Sequence, residues 1–394
     1  MNDLLPYGRQ DVTDEDIAAV RAVLESPWLT QGPTVTDFEN AVAERCGAGH
    51  AVAVNSATSA LHLACLALGV GEGDWVWTTP ITFVASANCA RYCGAEVDFV
   101  DIDPVSYNLC PEALASKLAR ARAGRQALPK VVVAVHFAGE PCDMAALGAL
   151  AEEYGFRLIE DASHAIGARR GDERIGECCH SDIAVFSFHP VKIVTTAEGG
   201  VAVTASAELA ERMRRARSHG IVRDGAAHAV EPWTYEQHSL GYNYRMSDLQ
   251  AALGISQLAR LDRYLEHRHR LAVRYDERLR GLDLTLPARS PDNRSSLHIY
   301  PVLLERAPEN GTLRRDVYHA LRAAGIGVNV HYIPVHTQPY YRSRGHARDP
   351  LVNAERYYAR ALTLPLFGVM TFEEQDRVVD ALAHVLDGSV PRAA

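Results

Sequence analysis

At 394 residues, 47% hydrophobic and 23% charged, the chain is long enough for a large core and two domains, and no low-complexity tract suggests disorder. A formal net charge of −9 gives no general pull toward nucleic acid or an anionic membrane. No window approaches the roughly 20 apolar residues of a membrane span, and "MNDLLPYGRQ" lacks the apolar core of a signal peptide, so a cytoplasmic protein is expected.

Short β-rich runs alternate with helical patterns from the first quarter of the chain onward. "AVAVNS" precedes the helical "TSALHLACLALG", "DWVWTT" precedes "TFVASANCARYCG", "EVDFVDID" precedes "PEALASKLARARA", and "KVVVAVHF" precedes "DMAALGALAEEYG", after which "FRLIEDAS" follows. This alternation predicts an α/β fold, a mainly parallel sheet with helices on both faces, and the unbroken apolar "KVVVAV" suits a strand buried on two sides. The strands "DIAVFSFH" and "GGVAVTA" close this part, and the arginines at 212, 214, 215 and 217 are expected on a solvated helix face. After about residue 245 the pattern changes to long amphipathic helices in "SDLQAALGISQLARLDRYLEHRHRLAVRYDERLRG", then to a Pro-rich break near 287–291. "LHIYPVLL", "LRRDVYHALRAAG" and "IGVNVHYIP" read as a smaller α+β part ending in a C-terminal helix. The expected division is a large domain over 1–260 and a small one over 261–394.

The eight cysteines, at 46, 65, 89, 93, 110, 142, 178 and 179, show neither a CxxC pair nor zinc spacing. They read as reduced and structural, and no metal is expected. His136 and His189 likewise read as satisfied structural histidines.

Ligands of such folds gather at the carboxyl ends of the strands. In "NSATSALHLA" small hydroxyl residues open a helix, where free N–H groups and the helix dipole favour a phosphate; Thr58 or Ser59 could equally cap the helix and do nothing more. "RLIEDASHAIG" runs a strand into Glu160 and Asp161, with His164 just beyond, and a carboxylate in such a place is costly to bury without a cation or donors to meet it. "VFSFHPVKIVTTAEGG" sets Lys192 among apolar, aromatic and small residues, where the ammonium form is disfavoured and the neutral amine can attack a carbonyl. Pyridoxal phosphate chemistry needs a lysine, a carboxylate for the pyridine nitrogen, an anion site for the phosphate and a flat apolar face for the ring. Lys192, Asp161, the helix start at Thr58 and Ser59, and Phe83 supply one candidate each.

With "PYGRQDVTDEDIAAV", "WLTQGP", "TTPITFVASANCA", "VDFVDIDP", "VHFAGEPCDM", "EDASHAIGA", "RSHGI", "GYNYRMSDLQAALG" and "VHYIPVHTQPYY" in this order, the sequence resembles the DegT/DnrJ/EryC1/StrS nucleotide-sugar aminotransferases nearly end to end. The resemblance implies a pyridoxal-phosphate-dependent transferase fold of type I. It makes Lys192 the residue that bonds the cofactor and moves the proton, and Asp161 the partner of the pyridine nitrogen. His164 would lie near the ring hydroxyl, Phe83 on the ring face, and Ser187 with the backbone of Thr58 and Ser59 at the phosphate. Asn243 would reach the phosphate of a neighbouring subunit in a homodimer with two shared sites; without the resemblance it reads as a turn residue. Tyr7, Thr30, His331 and Tyr332 are implied sugar-nucleotide contacts, although His331 and Tyr332 also read as packed loop residues.

Within the family, "FSFHPVK" and "GVNVHYIPVHTQPYY" are most similar to the branch that aminates C4 of a UDP-linked N-acetylated 4-keto-6-deoxy hexose on the pseudaminic acid pathway, with L-glutamate as donor. Relatives aminate C3 or C4 of other UDP- or dTDP-linked sugars on the same scaffold. Sugar-dehydrating siblings carry histidine in place of the lysine, and the cysteine spacing gives no support to the siblings that hold an iron–sulfur cluster. A non-enzymatic protein that keeps the fold for sensing or assembly is the reading from another class.

Overall fold

A computed structural model describes residues 4–223, 228, 230–306, 311–345 and 350–388. Two helices, α1 (Asp14–Leu24) and α2 (Pro33–Cys46), lead into β1 (His50–Val54) and α3 (Ala57–Ala67). The predicted alternation follows as β2 (Trp75–Thr78), α4 (Ala85–Tyr92), β3 (Glu96–Phe99), α5 (Pro111–Ala123), β4 (Val131–Val135), α6 (Met144–Tyr154) and β5 (Arg157–Asp161). A small hairpin, β6 (Arg169–Arg170) with β7 (Glu173–Arg174), precedes β8 (Ile183–Ser187), β9 (Gly200–Thr204) and α7 (Ala207–Arg217).

Seven strands form one sheet in the order β1-β9-β8-β5-β4-β2-β3, with β9 antiparallel to both of its neighbours and the ladders from β8 to β3 parallel. Its two faces are both dry because successive side chains leave a strand on opposite sides. Val52 and Val54 of β1, Val131 and Val133 of β4, and Ile183 and Val185 of β8 enter one core with α3 and α4. Ala51 and Ala53 of β1, with Ala184 and Phe186 of β8, enter a second, where Phe38 of α2 packs. Val132 and Ala134 of β4 enter a third, with Leu114 and Leu118 of α5 and Leu147 of α6. Covered on both sides, the sheet leaves its strand ends as the place where polar groups can meet a ligand.

The "SDLQ…" run does not continue as one rod. It forms Asp248–Leu258 and Leu261–Arg278, because Arg260 leaves helical geometry and turns its guanidinium to Asp16 Oδ2 at 2.6 Å. The rest of the chain builds a three-stranded sheet from Leu284–Thr285, Tyr300–Leu304 and Ala361–Leu364. It packs against helices Leu261–Arg278, Thr312–Ala323 and Phe372–Leu386 around Tyr275, Tyr300, Leu321 and Leu382.

The α7 arginines divide between water and the sheet. Arg212 and Arg215 pair with Glu208 and Glu211 one turn away, whereas Arg214 and Arg217 turn inward and donate to the carbonyls of Ala51 and Ala53. Those two cover the free edge of β1, the device by which an edge strand is kept from pairing with another chain. All eight cysteines are free, five of them buried. Among the described residues no helix is long and apolar enough to cross a membrane.

One buried cation ties the second half of the chain to the site. Arg268 is 3% exposed and its Nη1 donates to the carbonyls of Leu297, His298 and Leu366 at 3.0–3.1 Å; burial lowers its pKa to about 10. Arg268→Met fills the space but orphans three carbonyls, each worth about 1 kcal/mol or more when unsatisfied. Urea denaturation should show a loss of about 3 kcal/mol; an unchanged midpoint would contradict this role.

Candidate active site

A cavity of about 660 Å³ opens at the carboxyl edge of the large sheet. The register brings its parts together: Val135 pairs with Asp161, Asp161 with Val185, and Gly200 with both Ser187 and Val54.

Only three lysines occur in the chain. Lys117 is held by Asp98 at 2.9 Å and Phe99 O at 2.7 Å, and Lys130 by Asp74 at 2.8 Å. Lys192, whose backbone N–H donates to His189 O at 2.9 Å, is the lysine that lines the cavity. Burial lowers its pKa to about 8, against the opposing charge of Asp161. At pH 7 about one Lys192 in ten is therefore the nucleophilic free amine, against about one in three thousand for an ordinary lysine.

Asp161 ends β5 and is 5% exposed, with Oδ1 accepting from the Ser163 N–H at 3.1 Å. It forms no ion pair with Lys192 among the described residues. A carboxylate and an amine thus face one cavity without neutralising each other.

At the third corner α3 begins. Its cap is Ser56, whose Oγ accepts from Ser59 N at 3.1 Å, and neither Thr58 nor Ser59 takes that place. Ser59 is buried and donates to Asn55 Oδ1 at 2.7 Å, so its hydroxyl is turned from the cavity, while Ser56, Ala57 and Thr58 line it. The N–H groups of Ala57 and Thr58 have no helical acceptor and carry the positive end of the helix dipole. Ser187 lies alongside, across Gly200. A Cβ on Gly200 would come within 2.4 Å of Ala57 N, so glycine there lets the helix start sit on the strand end.

Phe83, 59% exposed, stands in the cavity wall 6.4 Å from the ring of Tyr332. Deeper in, His164 accepts or donates at Nε2 with the Tyr332 hydroxyl at 3.1 Å, and its buried Nδ1 has no hydrogen-bond partner among the described residues. The ring of His298 lies 4.4 Å from that of His164. Nothing in the sequence marks His298, which sits 134 residues from His164 and meets it only through the fold; Ser163, Asn329 and Gln338 also line the cavity, and though they neighbour marked residues no local pattern singles them out.

Burial lowers the pKa of His164, and the charge of Lys192 adds to it. Burial does the same to His298, aided by His164, and takes His331 down to about 3. All three imidazoles are therefore neutral at pH 7, and Lys192 carries the cationic charge among the side chains lining the cavity. His331 is further fixed by Thr363 Oγ1 at 2.9 Å on Nδ1, and the Tyr7 ring lies tilted with its centroid 5.4 Å away, its hydroxyl pKa raised by burial.

Besides Ser59, two expected site residues do not line this cavity within the chain. Thr30 is exposed and bridges Ser247, and Asn243 is exposed and bridges Ser218. His136 is internal, accepting from Cys142 N–H at Nδ1 and bonded through Nε2 to Glu160 Oε2 at 2.7 Å. His189 sits at the cavity mouth, half-exposed and 4.0 Å from Glu198.

These groups fit pyridoxal phosphate. The amine of Lys192 suits its aldehyde, Asp161 its pyridine nitrogen, and the free N–H groups of α3 its phosphate, while the orphaned Nδ1 of His164 is a buried polar atom lacking the partner a ring oxygen would supply. Residues 10–383 match the model of the DegT/DnrJ/EryC1/StrS aminotransferase family. The chain belongs to that family. It is 39% identical over 393 residues to the spore coat polysaccharide biosynthesis protein SpsC of Bacillus subtilis, with 98% of each chain covered. It is 38% identical over 386 residues, again with 98% of each covered, to a UDP-4-amino-4,6-dideoxy-N-acetyl-beta-L-altrosamine transaminase of Campylobacter jejuni. The fold is similar to that of Helicobacter pylori PseC, an aminotransferase involved in the biosynthesis of pseudoaminic acid, at 30% identity and a TM-score of 0.90 over 98% of this chain and 100% of that one. DesV of S. venezuelae, solved in complex with a ketimine intermediate, matches at 32% identity and a TM-score of 0.83, over 96% of this chain and 99% of that one. The chain is a pyridoxal-phosphate-dependent sugar aminotransferase.

The lysine gives the site a pH signature. Because only the neutral amine attacks, the rate at which cofactor-free protein takes up pyridoxal phosphate should rise with pH and level off with a midpoint near 8. Stopped-flow absorbance measures it, and a rate still climbing steeply above pH 9 would contradict a depressed lysine.

Proposed function

We propose that this aminotransferase acts on UDP-2-acetamido-2,6-dideoxy-β-L-arabino-hexos-4-ulose with L-glutamate, giving UDP-4-amino-4,6-dideoxy-N-acetyl-β-L-altrosamine and 2-oxoglutarate. The observation that carries this reading is end-to-end similarity to a transaminase of that name, joined to the fold match with PseC. The second reading is amination of another UDP- or dTDP-linked 3- or 4-keto sugar; similarity to SpsC, named for spore coat polysaccharide biosynthesis, supports a role in making a polysaccharide sugar without choosing between the two.

Bound in the cavity, pyridoxal phosphate supplies an aldehyde that condenses with amines and a ring that withdraws electrons from them. Lys192 would hold the cofactor through its amine and would move a proton between the donor's Cα and the cofactor's C4′. Asp161 keeps the proton on the pyridine nitrogen. Ser187 and the free N–H groups of Ala57 and Thr58 would hold the phosphate, the Ser59 N–H being spent on the Ser56 cap; Phe83 would cover one ring face and His164 would stand at the ring hydroxyl. Tyr7, His331 and Tyr332 receive the sugar nucleotide, and Thr30, outside this chain's own cavity, takes no part there. Residues 1–260 carry the cofactor, and 261–394 supply the wall formed by His298, His331 and Tyr332.

The working unit in this reading is a homodimer in the cytoplasm. Asn243, exposed and away from its own cavity, reaches the phosphate in the partner's. Exposed Trp28, Leu29, Trp233 and Leu240 support a covered face, since such side chains are costly to leave in water. In a two-fold dimer one such interface completes two sites.

Lys192→Ala should abolish turnover while the folded structure persists by circular dichroism. Asp161→Ala should lower kcat by orders of magnitude, and a kcat near wild type would assign that role to another residue. Mixing inactive Lys192→Ala with an inactivating Asn243 variant should restore up to about a quarter of wild-type activity, because half of randomly mixed dimers hold one intact site; no recovery after proven subunit exchange contradicts sharing. Supplying UDP- and dTDP-linked 4-keto and 3-keto sugars with glutamate and locating the new amine by NMR decides the substrate. An amine at C3, or turnover confined to dTDP sugars, would replace the first reading with the second.

A further inference from the structure

Asp161 Oδ2 is met by a side chain that no motif marks. Ser86, second residue of α4 and fully buried, places its Oγ 2.6 Å from Oδ2. The same Oγ lies 2.7 Å from Thr82 Oγ1, itself 3% exposed. A carboxylate can only accept, so the Ser86 hydroxyl donates to Asp161; having one proton, it must then accept from Thr82. The direction of the chain is thereby fixed as Thr82 to Ser86 to Asp161. The competing acceptor, Phe83 O, is at 3.4 Å and cannot rival a charge-assisted bond of 2.6 Å.

Resting on the cofactor assignment above, we infer that Ser86, polarised by Thr82, is a positioning residue that keeps Asp161 charged and aimed at the cofactor's ring nitrogen. A proton shared between a carboxylate and a pyridine nitrogen in a dry cavity has two places to rest. The neutral arrangement, with the proton on oxygen, is favoured by low dielectric alone. Hydrogen bonds donated to the carboxylate stabilise its charged form and send the proton to nitrogen. Asp161 receives two, one per oxygen: Ser163 N–H at Oδ1 and Ser86 Oγ–H at Oδ2. Donors in series strengthen one another, which gives Thr82 a part although it touches nothing in the cavity through this bond. Ser86 also lies one helical turn beyond Phe83, so the start of α4 sets both the apolar cover of the ring and the charge at its nitrogen.

Ser86→Ala leaves a small gap and removes the donor; Ser86→Cys keeps the shape with a weaker donor. In the holoenzyme, a ring nitrogen that loses its proton no longer lowers the basicity of the lysine–cofactor C=N bond. The pH titration of the yellow colour in Ser86→Ala should therefore shift upward by about one unit, the equivalent of one hydrogen bond to a charged group. Its kcat should fall about 10- to 100-fold, with KM for the sugar nucleotide little changed and Ser86→Cys in between. Thr82→Val should shift the titration the same way by less, and the double variant Thr82→Val with Ser86→Ala should match Ser86→Ala alone, since Thr82 acts through Ser86. An unmoved midpoint in Ser86→Ala, or effects of the two substitutions that add, overturns the inference even if wild type is yellow and active. Wild type that stays colourless after exposure to pyridoxal phosphate overturns the cofactor assignment itself, and the inference with it.

Discussion

A lysine and an aspartate are brought to one edge of a sheet, dried, and kept from touching. Burying two charges is costly, and a protein ordinarily recovers that cost by letting them pair. Here the register of β5 and β8 and the loop after β8 hold Asp161 and Lys192 in the lining of one cavity of about 660 Å³, within electrostatic reach but, among the described residues, without an ion pair. Each is left to be satisfied by a third body with a positive nitrogen for one and an electrophilic carbon for the other. The remaining walls complete that description: helix-start N–H groups for an anion, an exposed phenyl face, and an imidazole with an unpartnered nitrogen.

The three histidines shape the field around this pair. If His164, His298 and His331 were imidazolium at pH 7, the cavity would hold three further cations and Lys192 would be driven still lower, while an incoming ring cation would be repelled. Burial keeps all three neutral, so they serve as hydrogen-bonding walls. Their placement draws on distant chain: Arg268 pins the carbonyl of His298, and Thr363 of the small sheet fixes His331. Stability of the second half of the chain and electrostatics of the site are thus linked through specific hydrogen bonds.

Much of this was legible in the sequence because the short unbroken apolar runs and the helical segments between them in residues 50–204 announce a doubly covered parallel sheet locally. Lys192 and Asp161 could be singled out for a related reason: a charged residue at the end of an apolar strand conflicts with its surroundings. What stayed hidden depends on contacts far apart in the chain. In "NSATS" any of several hydroxyls can cap a helix, and only the backbone of Ser56 selected it over Thr58 and Ser59. Arg214 and Arg217 look like their solvated neighbours until the edge of β1 is beside them. The long helical run gives no sign of a break until Asp16 offers Arg260 a partner. His298 carries no local signal at all.

The central claim is that one lysine of three carries the cofactor. Borohydride reduces a lysine–cofactor C=N bond to a secondary amine that survives digestion, so peptide mass spectrometry of the reduced holoenzyme reads the attachment point directly. The reduced pyridoxal phosphate group should be found on the peptide containing Lys192, with Lys117 and Lys130 unlabelled. Label on either of those two, or a yellow protein that yields no labelled Lys192, would contradict the account.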